Sequence, residues 1–370
     1  RVGQYGDERL SLSGCNRASK PSVRTPRVEF DLGKIRANST ILCERLRSVG
    51  IDVKGVTKGV GGDSHIAAAM LDGGVTGLAD ARLSNVLKLR TNGINCPIAL
   101  IRSPMHDQLA ELVVSCNMSY HSDLTTLDLL GQAARDANRC HSVMLMVEAG
   151  DGRDGLPIER LEHFVAAVLN TPGLTLNGVG ANFSCMQAVP PTSAALMVLS
   201  NAIERVESCL RTKIACISGG NSTSLPLALA HVNLGRVNEL RLGEAILLGI
   251  EPLSGRVLPG LFDDAFVLFA EVIESSRKTR DAPLSNEKLN TEQSLTNLNQ
   301  AVLAVGTQDT DIRGLKPPTT MSVLGASSDH LVLNTGGTQL AIGSEVPFRM
   351  NYSAMSRLMN NPEVIKHAVN

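Results

Sequence analysis

The sequence has no tryptophan and only three tyrosines and seven phenylalanines among its 370 residues. Few aromatic side chains are therefore available for stacking on nucleic-acid bases or for anchoring a large protein interface. An excess of charge is also missing, because 35 lysines and arginines balance 36 aspartates and glutamates. Nucleic acid is not an expected partner, and a small molecule is favoured.

Long apolar runs and paired cysteine motifs are absent as well. No stretch approaches the roughly 20 apolar residues that cross a membrane, and the N-terminal residues contain no secretory signal core. The eight cysteines show no Cys-x-x-Cys pair, so neither a zinc site nor a disulfide framework is expected. We predict mostly buried, reduced thiols in a cytoplasmic protein without a metal or a membrane partner.

Short apolar runs that alternate with amphipathic segments dominate the first two thirds of the chain. Residues 1–26 are polar and are predicted to form a flexible tail. Eight apolar runs follow, at 28–32, 53–57, 77–80, 98–102, 118–121, 143–148, 176–182 and 214–218. This repeated βα pattern predicts an α/β fold, a (β/α)8 TIM-type barrel over 27–250, with its functional groups at the C-terminal ends of the strands.

After residue 250 the apolar runs follow one another without helical segments between them. This pattern predicts a smaller, mostly β domain over 251–370. A polar segment at about 274–297, rich in serine, asparagine and charged residues, is predicted to be a long loop within it.

Polar residues end most of the predicted barrel strands and are expected to share one rim. They include Lys58, Asp80, Arg102, His121, Glu148 and Asn182. For Asp80, Arg102 and His121, helix capping or packing explains the residue as well as chemistry does.

Lys58 ends an apolar strand in the segment VKGVTKGVGGD. In a barrel mouth, partial desolvation of an amine favours its neutral, nucleophilic form, which is competent to form a Schiff base. The alternative is a surface lysine at a strand end, and Lys54 shows that lysines occur in this neighbourhood. Spacing alone favours that alternative.

Two further segments shift the balance towards a binding site. The turn SGGNSTSLP, which begins at Ser218, offers glycine amides and hydroxyls to an anion where a strand meets a helix. In ELRLGEAILLG, Arg241 lies beside a strongly apolar run, and a buried arginine needs an acceptor such as a ring nitrogen or a carboxylate.

In this order the segments resemble the alanine-racemase-like family of pyridoxal-phosphate enzymes, and they are most similar to its ornithine racemase branch. The resemblance runs from about residue 27 to the C-terminus and includes VTKGVGGD, GLADAR, EAGDGRDG, SGGNSTSLP and LRLGEAILLG. It implies a barrel followed by a C-terminal β domain, pyridoxal 5'-phosphate as cofactor, and a head-to-tail homodimer.

The resemblance also implies roles for particular residues. Lys58 matches the lysine that forms the Schiff base and acts as the first base. Asn221 and Ser222 match the phosphate-binding pair, and the backbone amides of Gly243 and Glu244 match donors to the same phosphate.

Two arginines match positions near the cofactor ring. Arg241 matches the arginine that faces the pyridine nitrogen, where its permanent charge favours racemisation over transamination. Arg153 matches the arginine near the cofactor phenolate and the substrate carboxylate. The chain departs from the alanine racemase pattern at Asn182, where that enzyme stacks a histidine on the cofactor, and at Thr307, near which its second base, a tyrosine, falls.

Racemisation needs a second acid or base on the opposite face of the substrate. Asp309, Asp329, His330 and Tyr352 are the candidates, each with a structural hydrogen bond as the simpler explanation.

The expected function is therefore a racemase of alanine, ornithine or a similar small or basic amino acid. A decarboxylase or aldolase of the same fold is an alternative, and so is a non-catalytic protein of pyridoxal-phosphate homeostasis. The additional C-terminal domain argues against the last of these, because completing a site is what catalysis requires.

Overall fold

A computed structural model of the chain describes residues 26–187, 189–279 and 297–369. These residues form two compact units. The first is Asp31–Ala265, and the second combines Phe266–Val369 with the described residues 26–30. The predicted tail falls almost wholly outside the described residues.

The secondary structure of the described residues consists of the following elements. In chain order the strands are β1 (Arg27–Asp31), β2 (Asp52–Val56), β3 (Gly77–Asp80), β4 (Ile98–Leu100), β5 (Met118–His121), β6 (His141–Val147), β7 (Leu174–Ala181), β8 (Cys216–Ser218), β9 (Glu239–Leu242), β10 (Phe266–Thr279), β11 (Asn297–Leu303), β12 (Leu315–Lys316), β13 (Ser322–Ala326), β14 (Leu331–Asn334), β15 (Glu345–Met350) and β16 (Ile365–Val369). The helices are α1 (Leu32–Arg47), α2 (Ser64–Asp72), α3 (Leu83–Thr91), α4 (Leu109–Ser115), α5 (Leu124–Asp136), α6 (Leu161–Asn170), α7 (Ser193–Leu210), α8 (Leu225–Leu229), α9 (Glu244–Leu248) and α10 (Tyr352–Asn360).

The first unit is a closed parallel barrel, β2 to β9, in which a helix follows each strand. The predicted (β/α)8 barrel is confirmed, but the assignment of its strands was wrong at both ends. The run 28–32 is β1, which pairs antiparallel with β10 in the second unit. The barrel closes instead through β9, which pairs with β2 and β8. Periodicity missed β9 because two of its four residues, Glu239 and Arg241, are charged although both are buried.

The barrel interior is filled by side chains that alternate along the strands, as a closed sheet requires. This interior core cluster consists of Val56, Ala79, Ala99, Met118, Tyr120, Met144 and Met146. The interior is thus a packed core, and any site must lie at a rim.

Carboxylate side chains fix the start of several barrel helices. Asp31 accepts a hydrogen bond from the Lys34 amide at the start of α1 (2.9 Å), and Asp123 accepts one from the Thr126 amide in α5 (2.8 Å). Such caps satisfy amides that have no partner within the helix. They define where each strand-to-helix loop ends.

The second unit is an antiparallel sheet, which confirms the predicted C-terminal β domain. Its strands follow the order β12-β15-β10-β11-β14-β13, and β1 pairs with both β10 and β16. The sequence pattern missed α10, which Asn351 caps by accepting a hydrogen bond from the Ala354 amide (2.9 Å).

Part of the predicted loop at 274–297 is strand. β10 continues to Thr279 and pairs with β11, with Glu274 opposite Val302 and Thr279 opposite Asn297. Its polar composition resembles that of a loop, but the hydrogen bonds of a hairpin do not depend on side-chain polarity. Residues 280–296 lie outside the described ranges.

Within those ranges, no helix combines the length and the apolar character needed to span a bilayer. The described cysteines are all free, but the prediction of mostly buried thiols was wrong for three of them. Cys140, Cys185 and Cys209 are exposed, whereas Cys43 and Cys116 are buried.

Candidate active site at the C-terminal rim of the barrel

Lys58 follows β2 and begins a short 3₁₀ turn, Lys58–Val60. The residue before it is rigidly held, because the buried Thr57 hydroxyl donates to Asp80 Oδ2 at 2.7 Å. Asp80 Oδ1 accepts hydrogen bonds from the Arg82 amide (2.9 Å) and from Asn85 Nδ2 (3.0 Å). Asp80 is thus a structural residue that fixes the backbone beside Lys58.

The Lys58 side chain is exposed, so the expected partial desolvation of its amine is not observed within this chain. Its positive charge nevertheless acts on two groups of the rim. Burial, and then the charge of Glu251, raise the pKa of Glu244 to about 7 against the opposing charge of Lys58. Partial desolvation of the Cys185 thiol, in a residue that is exposed as a whole, also raises its pKa, and Lys58 likewise opposes this rise. The amine therefore lies near the start of α9 and the loop after β7.

The turn after β8 has a tightly packed backbone. Gly220 has φ +110°, and a Cβ there would lie 2.6 Å from Ser224 Oγ and 3.0 Å from the Phe183 ring. Asn221 caps the following 3₁₀ turn by accepting from the Thr223 amide (2.9 Å), and its Nδ2 donates to the Phe183 carbonyl (2.9 Å). Only glycine fits at residue 220 without strain.

Ser222 connects this turn to the loop after β9. It is buried, and its Oγ accepts a hydrogen bond from the Ala245 amide at 3.3 Å. The approach is close at Gly243 too, where a Cβ would lie 3.2 Å from Val56 Cβ at the end of β2. The loops after β2, β8 and β9 therefore converge at one place on the rim, lined by glycines, serines and backbone amides.

Arg241 on β9 is 3% exposed and is held by neutral acceptors. Its Nη1 donates to Ser218 Oγ (2.6 Å), and its Nη2 donates to the Ala181 carbonyl (2.8 Å) and to Asn182 Oδ1 (2.6 Å). The guanidinium carbon also lies 5.3 Å from the centre of the Tyr120 ring. Arg241 is thus fixed at the C-terminal ends of β7 and β8.

Arg153, in the loop after β6, lies between two carboxylates. Its Nε is 2.8 Å from Asp154 Oδ1 and 3.6 Å from Asp151 Oδ2. Asp151 is buried and accepts from the amides of Cys185 (2.6 Å) and Met186 (3.1 Å), which ties the loop after β6 to the loop after β7. The loop that carries Arg153 is therefore part of the same rim.

The candidates for a second acid or base lie in the second unit, where several have structural hydrogen bonds. Asp309 accepts from the Gly306 amide (2.8 Å), and the His330 ring lies 3.3 Å from Ser327 Oγ. Tyr352 begins α10.

The structure brings together residues that sequence reasoning proposed separately. Lys58, Arg153, Asn182, Asn221, Ser222, Arg241, Gly243 and Glu244 all follow or end barrel strands, and parallel strands place those ends on one rim. An exposed primary amine, a glycine turn with hydroxyl and amide donors, and a buried guanidinium fit a phosphorylated aldehyde. The sequence patterns did not assign Tyr120 or Glu239. The scarcity of tyrosine and the charge of Glu239 beside apolar residues make both unusual, but neither shows that the two side chains meet.

Comparison with known proteins agrees with this arrangement. The family model described as alanine racemase, N-terminal domain, matches residues 30–252. Lysine racemase of Thermotoga maritima is 32% identical over 350 residues, which cover 92% of this chain and 98% of that protein. Ornithine racemase of Acetoanaerobium sticklandii is 30% identical, with coverage of 89% and 96%. Alanine racemase of Thermobifida fusca is also 30% identical, but with coverage of 63% and 62%.

Solved structures share the fold at lower sequence identity. Alanine racemase from Bacillus anthracis superposes with a TM-score of 0.72 at 19% identity and covers 95% of this chain and 96% of its own. D-threonine aldolase from Filomicrobium marinum gives a TM-score of 0.73 at 17% identity, with coverage of 91% and 90%. The barrel, its rim and the matched sequences lead to one assignment: the chain belongs to the alanine racemase family of pyridoxal-phosphate-dependent enzymes.

Proposed function

We propose that this pyridoxal-phosphate-dependent amino-acid racemase acts on basic amino acids, ornithine and lysine above all. The observation that carries the proposal is similarity over the full length of the relatives. Alignment with the lysine and ornithine racemases covers 98% and 96% of those proteins, whereas alignment with the Thermobifida alanine racemase covers 62%. The shared features thus extend beyond the barrel that all of them have.

Lys58 is the residue proposed to hold the cofactor and to move the α-proton on one face of the substrate. When bound, pyridoxal phosphate withdraws the electrons that the departing proton leaves at the α-carbon. The proposal is supported by the rigid Thr57–Asp80 hydrogen bond that fixes the chain just before the amine. An exposed, flexible side chain on a fixed backbone suits a group that both holds a ligand and transfers a proton.

The phosphate is proposed to lie where the turn after β8 meets the start of α9. Asn221 and Ser222 would hold it together with the amides of Gly243 and Glu244. The glycine backbone at residue 220 and the contact between Ser222 and Ala245 support this placement, because they keep the donors close and free of side-chain bulk.

Arg241 is proposed to face the ring nitrogen of the cofactor. A guanidinium remains charged at any physiological pH, so it disfavours a proton on that nitrogen. The weaker electron withdrawal that results favours return of a proton to the α-carbon over transamination. Arg153 is proposed to bind the cofactor phenolate and the substrate carboxylate. Asn182 is proposed to hold Arg241 in place through its hydrogen bond.

The acid or base on the opposite face is proposed to come from the second unit of a partner subunit in a head-to-tail homodimer. Asp309, His330 and Tyr352 remain the candidates. Mixing inactive Lys58→Ala subunits with subunits that carry a substitution at one candidate tests this arrangement. Recovery of activity on mixing supports it, and a monomeric active enzyme contradicts it.

We further propose a cytoplasmic location. The support is that the described cysteines are all free, as is usual in a reducing compartment. Fractionation of the cells that produce the protein tests this, and recovery of the protein outside the cytoplasm contradicts it.

The function itself is tested by incubating the enzyme with single L-amino acids in deuterated solvent. We expect exchange of the α-hydrogen and formation of the D-enantiomer with ornithine and lysine, at higher kcat/KM than with alanine. Release of carbon dioxide or of an aldehyde without racemisation indicates the decarboxylase or aldolase alternative. Cofactor binding without exchange on any amino acid indicates a non-catalytic protein.

A further inference from the structure

Two cations lie side by side inside the barrel. Lys54 on β2 and Arg241 on β9 are register partners, and partners in a parallel ladder point to the same face of the sheet. Both side chains are largely shielded from solvent, with 13% of the Lys54 side chain exposed and 3% of Arg241. Buried like charges repel one another, and a neighbouring anion offsets that repulsion.

Glu239 supplies a negative charge next to Lys54. It precedes Arg241 by two residues on β9, so both side chains face the interior. One carboxylate oxygen forms an ion pair with Lys54 Nζ. The ion pair offsets the charge of Lys54, while the Arg241 guanidinium donates to neutral acceptors.

Tyr120 on β5 connects this ion pair to Arg241. Its hydroxyl lies 3.5 Å from the second carboxylate oxygen of Glu239, and its ring face lies 5.3 Å from the Arg241 guanidinium carbon. Burial raises the pKa of the phenol, and the charge of Glu239 raises it further. The phenol therefore keeps its proton and donates it towards the carboxylate.

We propose that Tyr120, held by the Glu239–Lys54 pair, is a positioning residue that sets the orientation of Arg241 towards the cofactor ring. The ring face limits the guanidinium to one side, and the hydrogen bonds to Ser218, Ala181 and Asn182 fix it in the plane. A cation over an aromatic face is stabilised when both are desolvated. This inference rests on the proposed role of Arg241 and adds the residues that make that role possible.

The experiment compares the full-length, cofactor-loaded wild type with Tyr120→Leu and Tyr120→Phe. Met118→Ala is the matched control, because Met118 lies two residues earlier on the same strand face and packs in the same interior core cluster. Two readouts are used: kcat and KM for racemisation, and the visible absorbance of the bound cofactor between about pH 6 and pH 9 without substrate.

We expect Tyr120→Leu to lower kcat about tenfold with KM within about twofold of wild type, since orientation at the reacting ring is lost while substrate contacts remain. The cofactor absorbance should be independent of pH in the wild type and in Met118→Ala, and should titrate in Tyr120→Leu. Tyr120→Phe keeps the ring face but loses the hydroxyl, so the pH dependence of its absorbance should be intermediate between those of the wild type and Tyr120→Leu. If Tyr120→Leu fails to fold, the wild type and Tyr120→Phe still decide the question through the same titration.

A second arm tests the ion pair. Glu239→Gln leaves Lys54 unpaired beside Arg241, and we expect the same pH-dependent absorbance as for Tyr120→Leu. The double variant Lys54→Met with Glu239→Gln removes both charges but still lacks the carboxylate that holds Tyr120, so the pH-dependent absorbance should persist. Recovery of the wild-type absorbance would trace the effect to the unpaired Lys54 charge and overturn the inference.

Pure structural damage gives a different result, namely lower thermal stability in every variant with unchanged absorbance profiles, and that result overturns the inference. Failure of the proposed function is separately visible. It would be a wild-type enzyme that racemises no amino acid, while the absorbance titration without substrate still reports on Tyr120.

Discussion

Asn182 Oδ1 accepts a hydrogen bond from Arg241 Nη2 at 2.6 Å, just beyond the end of β7. The family pattern has a histidine here that stacks on the cofactor, and in this chain the residue instead fixes the guanidinium. An amide oxygen is a pure acceptor, whereas a histidine nitrogen accepts only when it is unprotonated. Asn182 therefore holds Arg241 independently of pH.

Asn182→Ala removes this acceptor and leaves a buried guanidinium N–H without a partner. We expect a loss of about 1–3 kcal/mol in the free energy of unfolding and a fall of about tenfold in kcat. Urea denaturation and steady-state kinetics measure the two effects. Asn182→Asp keeps the oxygen acceptor and should retain most of the activity, so equal activity of the Ala and Asp variants contradicts the assignment.

Lys58→Ala removes the amine proposed to hold the cofactor. We expect loss of the visible absorbance of the bound cofactor and a fall of about 10³-fold or more in turnover. Absorbance after removal of free cofactor and a racemisation assay measure both. Lys213→Ala, at a lysine whose side chain is 89% exposed, serves as the control. A Lys58→Ala protein that retains the absorbance contradicts the central assignment.

Glu244 predicts a pH dependence of cofactor affinity. Burial, and then the charge of Glu251, raise the pKa of its carboxyl to about 7, against the opposing charge of Lys58. Above that pH the carboxylate is negative beside the proposed phosphate position, so affinity should fall as pH rises through 7, up to about tenfold. Dissociation constants between about pH 6 and pH 8 test this. Glu244→Gln should flatten the profile, whereas Glu111→Gln, at an exposed residue of α4, should not.

Two buried histidines predict loss of stability in acid. Ser119 Oγ lies 2.6 Å from His121 Nε2 and 2.8 Å from His141 Nε2. Burial lowers the pKa of His121 to about 3, with a contribution from His141, and burial lowers the pKa of His141 to about 4. The unfolded chain therefore binds protons near pH 6.5 while the folded chain does not, so stability falls as pH drops below about 6.5.

The expected slope is up to about 1.4 kcal/mol per pH unit for each histidine until its folded pKa is reached. Urea denaturation at pH values between about 7.5 and 4.5 measures it. His141→Gln should reduce the slope, and His65→Gln, at a residue with 71% of its side chain exposed, should leave it unchanged. A slope that is the same in all three proteins shows that other groups control the acid response.

The sequence patterns that led to the candidate site share one property: each contains a residue that is unusual for its surroundings. A lysine at the end of an apolar strand and glycines before a helix are unfavourable or unusual unless a ligand or a turn requires them. They placed Lys58 after one strand and Ser222 in the turn after another, which is where the structure has them. These motifs can be recognised from the sequence because each one lies within a single strand-to-helix connection.

Tyr120 and Glu239 could not be assigned from the sequence in this way. They are 119 positions apart, and their contact depends on the closure of the barrel, which brings β5 opposite β9. Strand β9 itself was missed for a related reason. Its charged residues are buried only because Lys54, Tyr120 and Ser218 from other strands surround them.

The amino-acid sequence by itself determined the repeated βα architecture, the following β domain and the segments proposed to hold the cofactor, since these depend on periodicity and on residue type within short windows. Only the tertiary structure decided which strands close the barrel, that 28–32 belongs to the other sheet, and which interior side chains surround Arg241. Those outcomes depend on contacts between residues far apart in the chain, and hydrogen bonding and charge pairing across a closed sheet have no signature in any local pattern.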